Sequence, residues 1–124
     1  MTNKNSQIYI GKVKSVAKGK GWFFGHFMKQ SPLKSRKVEI AWQDISNEKP
    51  GQHGAHYHRW TTEINIVISG AIRFMIKGRK HVARRGEFFV IPPGVVIERV
   101  SAGPNTQIIV VRTASLPKDK RLVA

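Results

Sequence analysis

The sequence predicts an all-β domain, a sandwich or barrel, on three observations. About ten short segments rich in β-branched and aromatic residues succeed one another. Gly and Pro interrupt them every 8 to 12 residues or so, the spacing of an all-β fold. No segment sustains the helical period of apolar residues, and no repeat, linker or low-complexity stretch divides the 124 residues. One domain spanning residues 1–124 is expected.

The elements follow in order. Residues 7–16 alternate loosely between apolar and polar side chains, as a half-buried edge strand does, until Lys18-Gly-Lys-Gly21 breaks the pattern. Residues 22–28 form an aromatic strand containing His26, with Trp22, Phe23, Phe24 and Phe27 assigned to the core together with Phe74. A loop through Pro32 leads to a third strand, 37–42, so the basic N-terminal strands occupy 7–43. Residues 44–54, rich in Asn, Pro and Gly, form the longest loop. Further strands are expected at 64–68, 71–77, 80–83, 87–91, 95–100 and 106–112, with Gly78-Arg79, Arg84-Arg-Gly86 and Pro92-Pro-Gly94 as turns. Residues 115–124 read as a frayed tail.

Composition narrows the function. There is no cysteine, which removes disulfides and thiolate metal sites and fits a reducing cytoplasm. The first residues hold no apolar signal core and no apolar run approaches a membrane span, so a soluble cytoplasmic protein is expected. Lys and Arg number 22 against 7 Asp and Glu, a net charge of +15. The first carboxylate is Glu39, and a second basic cluster, Arg73 to Arg85, brackets His81, which reads as a solvated residue. Such a field draws in anions, either a small anionic ligand or nucleic-acid phosphates, although no nucleic-acid-binding motif accompanies it. No P-loop, Rossmann fingerprint or nucleophile elbow occurs, which leaves Lewis-acid, redox or proton-transfer chemistry.

The chemistry gathers between His56 and Gly70. His56 and His58 are two apart, so a strand sends both imidazoles to one face with Tyr57 opposite. Arg59 to Thr62 supply the bend that lets Glu63 face the same way. Two imidazoles and a carboxylate form a metal-ligand set. Asn65, two after Glu63, shares its face and is a candidate ligand contact; Arg59 and Trp60 are candidates for the pocket rim.

His56-x-His58, four residues, Glu63, six residues, Gly70 resembles the first motif of the cupin superfamily, germin-like in its Thr62-Glu63-Ile64 wording. Gly51 lies one residue closer to His56 than that motif asks. Gly86, five residues, Pro92-Pro-Gly94 resembles the start of the second motif, but Ile97 stands where the family has a histidine and Ser101 where it has an asparagine. The resemblance covers residues 51–101. It implies a jelly-roll barrel, the double-stranded β-helix of cupins, often paired as a homodimer through sheet edges. It also implies a divalent metal (Mn, Fe, Ni, Cu or Zn) held by His56, His58 and Glu63. Three states stay open. The three groups bind the metal alone; His26 or His53 completes the shell, Glu98 being turned outward by alternation; or the metal is gone and a polar or acid–base cluster remains. An enzyme of this kind is a metal-assisted isomerase or epimerase, or a non-haem oxygenase, acting on a small, anionic or sugar-like molecule. The rival readings are a ligand-binding module with a degenerate site and a basic nucleic-acid binder.

Overall fold

A computed structural model describes residues 8–123. Two five-stranded antiparallel sheets face each other in a jelly roll. One has the order β1 (Trp22–Phe24), β2 (Glu39–Asp44), β9 (Gln107–Thr113), β4 (Thr62–Ser69), β7 (Phe88–Ile91). The other has the order β10 (Lys120–Leu122), β3 (His56–His58), β8 (Ile97–Ala102), β5 (Ala71–Ile76), β6 (Arg79–Arg84). The all-β expectation holds. Among the described residues, no helix is long and apolar enough to cross a membrane.

Alternation decides what faces the interior. Along β4, Glu63, Asn65 and Val67 are buried while Ile64, Ile66 and Ile68 lie on the other face. β9 runs antiparallel beside it and pairs Glu63 with Arg112, Asn65 with Val110, and Val67 with Ile108. The barrel is therefore graded. Val67, Ile72, Phe74, Ala102 and Ile108 fill one end with apolar side chains, and the polar groups collect at the other.

Several elements differ from the sequence expectation. Residues 8–16 form no strand (Gln7 lies outside the described residues). Only a short helical turn, α1 (Val13–Val16), is present. Val13 and Val16 are three apart and line one small cleft with Phe23 and Leu33, so the period-three pair overrode the alternation. The aromatic strand stops at Phe24 because the backbone turns at Gly25, whose carbonyl accepts hydrogen bonds from Met28 and Ser35. Trp22 packs against the core and Phe74 lies within it, whereas Phe23, Phe24 and Phe27 are half-buried. The third strand begins at Glu39 rather than residue 37, and Lys77-Gly78 makes the turn assigned to Gly78-Arg79. The tail is not frayed: β10 pairs with β3, Lys120 against His58 and Leu122 against His56. An edge as short as β3 exposes unpaired backbone, and this segment satisfies it.

Gly70 closes the hairpin between β4 and β5 at φ 73°, and a Cβ there would meet Thr106 Cα at 2.7 Å. Gly78 has nearly the same φ, 75°, but open space around it. Gly70→Ala is expected to cost about 2–4 kcal/mol, combining left-handed strain with overpacking, against about 1 kcal/mol for Gly78→Ala. Urea unfolding of the two variants measures the difference.

Candidate functional site

The polar end of the barrel is built on one cross-strand row. Register places Glu39 of β2, Arg112 of β9 and Glu63 of β4 side by side. Arg112 donates from Nε to Glu63 Oε1 (2.9 Å) and from Nη1 to Glu39 Oε2 (3.0 Å). Its guanidinium also lies over the Trp22 ring, 4.6 Å from the centroid. Asn65 Nδ2 donates to Glu63 Oε2 at 3.1 Å, so both carboxylate oxygens are engaged. Burial alone would raise the Glu63 pKa. The neighbouring His58 ring, the Arg112 charge and the Asn65 amide outweigh it and hold the group far below the usual carboxylate range.

The two motif histidines have different surroundings. His56 accepts no proton readily: desolvation lowers its pKa to about 4. Its Nδ1 lies 3.0 Å from the Gly54 carbonyl, which fixes the proton there and leaves Nε2 with its lone pair. His58 sits between two acids, with Nε2 3.4 Å from Glu63 Oε1 and Nδ1 3.4 Å from Asp119 Oδ2, and neither nitrogen makes a well-formed hydrogen bond. Asp119 is held from the other side by the Trp60 N–H at 2.7 Å and the Thr61 hydroxyl. Its burial would raise its pKa, but the Thr61 and Trp60 donors and then His58 bring it down.

A cavity of about 70 Å³ lies against this row. Lys20, Arg99, Arg112 and Lys120 reach it, against the single carboxylate of Glu63, with His53, His56 and Asn65 also in the wall. Arg99, from β8, donates Nη2 to His53 Nδ1 at 3.1 Å. Desolvation, followed by the Arg99 and Lys120 charges, lowers the His53 pKa to about 3, so its ring is a neutral acceptor. Lys120 has its ammonium pKa depressed by desolvation and by the charges of Arg112, Lys20 and Arg99. A second cleft of about 530 Å³ shares Trp22, Arg112 and Lys120 with this cavity and is otherwise largely apolar, with Phe27, Leu116 and Pro117.

The expected residues are thus distributed unevenly. His56, Glu63, Asn65 and His53 stand together at the cavity. His58 lies behind Glu63, outside the wall. His26 is in a turn on the far side of Glu39, bound through Nδ1 to Ser115 Oγ at 2.7 Å, and cannot complete a shell around His56. Arg59 and Trp60 are exposed and stack on each other at 4.6 Å, away from the cavity, because the bend that returns Glu63 inward turns them out. Arg99, Arg112, Lys20, Lys120 and Asp119 were missed. Strand parity carried the signal for two of them: Arg112 shares a face with Ile108 and Val110, and Arg99 with Ile97. Asp119 and Lys120 were hidden by the charged tail.

The donor set does not fit a resident divalent metal. Among the described residues, no three His, Asp or Glu groups are gathered to hold one. Glu63 is already neutralised by a guanidinium, His58 faces acids rather than the cavity, Ile97 fills the place of the family's further histidine, and four cations surround the space.

The family profile described as the cupin domain matches residues 46–105, spanning both motifs. The chain carries a cupin domain over these residues. Solved cupin-fold structures superpose on it at low identity. Pac13 from Streptomyces, described as a nucleoside dehydratase, gives a TM-score of 0.68 at 13% identity over 94% of this chain and 92% of its own. KdgF from Halomonas gives 0.56 at 20% over 68% and 76%, and a cupin from Bacteroides fragilis 0.55 at 20% over 65% and 70%. These likenesses concern the fold. A search of curated proteins by sequence finds no match.

The neutral histidines set a pH dependence. Folded pKa values of about 3 for His53 and about 4 for His56 lie below the unfolded value of 6.5. Between pH 6.5 and 4 the unfolded chain therefore binds more protons, and stability falls as pH falls. Above 6.5 these groups contribute no slope. In the double variant His53→Gln/His56→Gln the urea midpoint is expected to change less across that window than in the parent, which denaturation at stepped pH measures.

Proposed function

We propose that this cupin is a binding protein for a small organic anion, held in the barrel by Arg99, Arg112, Lys20 and Lys120. The observation that supports it is the set of four cationic side chains against one carboxylate in the wall of one cavity, Arg112 and Arg99 being paired from outside that wall by Glu39 and Glu48. Partly desolvated cations form stronger charge-assisted hydrogen bonds than surface ones, and Arg recognises the planar fork of a carboxylate or phosphate. The small cavity accommodates the charged head alone. The adjoining cleft, with Trp22 and Phe27 in its wall, has room for the body of the ligand. A sugar acid and a nucleoside monophosphate both have this plan, and Pac13, whose structure holds uridine, is a fold neighbour that makes the second worth testing.

Turnover has less support than binding. The free Nε2 of His56 is the best-placed proton acceptor, but a group with pKa about 4 is a weak base at neutral pH. The metal-assisted isomerase, epimerase or oxygenase reading needs Glu63, which Arg112 and Asn65 already occupy.

Isothermal titration with matched pairs tests the reading: uridine 5′-phosphate against uridine, and galacturonate against galactose. The anionic member of at least one pair is expected to bind about tenfold tighter or more, and Arg99→Gln to lose about that factor, the worth of one charge-assisted hydrogen bond. Equal affinity for charged and neutral members, or no effect of Arg99→Gln, contradicts it.

A further inference from the structure

The turn after β1 carries a histidine that the cationic cavity leaves unused. His26 meets one hydroxyl twice: its backbone N–H donates to Ser115 Oγ at 2.8 Å, and its Nδ1 lies 2.7 Å from the same oxygen. Ser115 Oγ donates to Glu39 Oε1 at 2.9 Å, and Glu39 Oε2 accepts from Arg112. Both Ser115 and Glu39 are buried. A hydroxyl has a single proton, and here the Glu39 carboxylate takes it. Ser115 Oγ must therefore accept from Nδ1, so the network assigns the proton of the neutral ring to Nδ1 and the lone pair to Nε2. The turn itself is held by Lys34, whose Nζ donates to the His26 carbonyl at 2.6 Å and to that of Met28 at 3.2 Å.

His26 stands in the wall of the larger cleft, and among the described residues its Nε2 has no hydrogen-bond partner. The acids of that wall are engaged. Glu39 holds Ser115 and Arg112, and Asp119 holds the Trp60 N–H and the Thr61 hydroxyl. The side chains of Phe27, Leu116 and Pro117 offer no acceptor. A fixed polar atom in a mostly apolar wall orients whatever donor meets it. Lys18, Lys118, Lys120 and Arg112 border the same space, so a cationic donor is repelled and an uncharged one is favoured.

We propose that His26 is the specificity residue of the cleft: its Nε2 accepts a hydrogen bond from a hydroxyl on the body of the bound anion. Ser115 and Glu39 are its positioning residues. The inference rests on the anion reading above and narrows it to hydroxylated anions, excluding carboxylates and phosphates with apolar bodies. Arg112 links the two ends, since it borders the cavity for the charged head and binds the carboxylate that orients His26 through Ser115.

Isothermal titration with two matched pairs of anions tests it: galacturonate against cyclohexanecarboxylate, and uridine 5′-phosphate against its 2′,3′-dideoxy analogue. The hydroxylated member of at least one pair is expected to bind about fivefold tighter, the worth of one net hydrogen bond. His26→Phe is expected to abolish that preference while the affinity for the deoxy member stays within about twofold. Equal affinity within both pairs, or a preference that survives His26→Phe, overturns the inference. If charged ligands still outbind galactose and uridine, the anion reading stands and the role of His26 alone falls; if they do not, both fall. Should His26→Phe misfold, imidazole ¹⁵N spectra of the unmodified chain in alkaline buffer decide. An unprotonated Nε2 on His26, shifted by the preferred anion, is the expected result, and Ser115→Ala is expected to release the other tautomer. A proton on Nε2 in the unmodified chain, or no response to that anion, overturns it.

Discussion

A carboxylate inside a β-barrel must find a counter-charge, and the pairing of Glu63 with Arg112 is the constraint on which the polar end of this protein depends. Removing Arg112 would leave the buried Glu63 carboxylate without its counter-charge, at a cost of about 3–5 kcal/mol. The pairing is fixed by register, because β4 and β9 bring residues 63 and 112 opposite each other and β2 adds Glu39 on the far side. The same row orients Asn65 and confines His58 between Glu63 and Asp119, while Arg99 pairs with Glu48 at 3.1 Å and Lys20 and Lys120 add charge that Glu63 does not balance. The positive charge gathered at that cavity is what the proposed binding of an anion rests on.

In most cupin-like sites the resemblance implies a metal to supply that positive charge. Here a guanidinium does so. The two are not equivalent: Arg112 is permanently charged, planar and tethered, and its Nε and Nη1 are spent on Glu63 and Glu39. What remains for a ligand is the charge itself, reinforced by Arg99 and the two lysines. Ile97 is consistent with this arrangement, since it packs into the apolar cluster as a neighbour of the site and offers no ligand atom.

Much of the fold was legible because alternation and turn residues are local signals. Gly70, Gly78 and Pro92-Pro-Gly94 mark real turns, and the Gly94 N–H bonds to the His58 carbonyl, tying the second motif to the first. His56, Glu63 and Asn65 were readable for the same reason. The partners were not. Nothing local in Arg112 or Arg99 distinguishes a buried guanidinium from a solvated one; only their parity with Val110 and Ile97 does, and a net charge of +15 made them look like more surface charge. Asp119 and β10 depend on the unsatisfied edge of β3, a tertiary demand invisible along the chain. Arg59 and Trp60 failed as rim residues because a bend that turns one residue in turns its neighbours out.

The donor set makes Arg112, and not a metal, the resident cation of the barrel. Elemental analysis of the chain, purified without chelator and after incubation with Mn, Fe, Ni, Cu or Zn, tests it most directly. Retained metal far below one ion per chain, unaltered by His56→Ala, is the predicted result. One tightly held ion per chain, lost on that substitution, would contradict it.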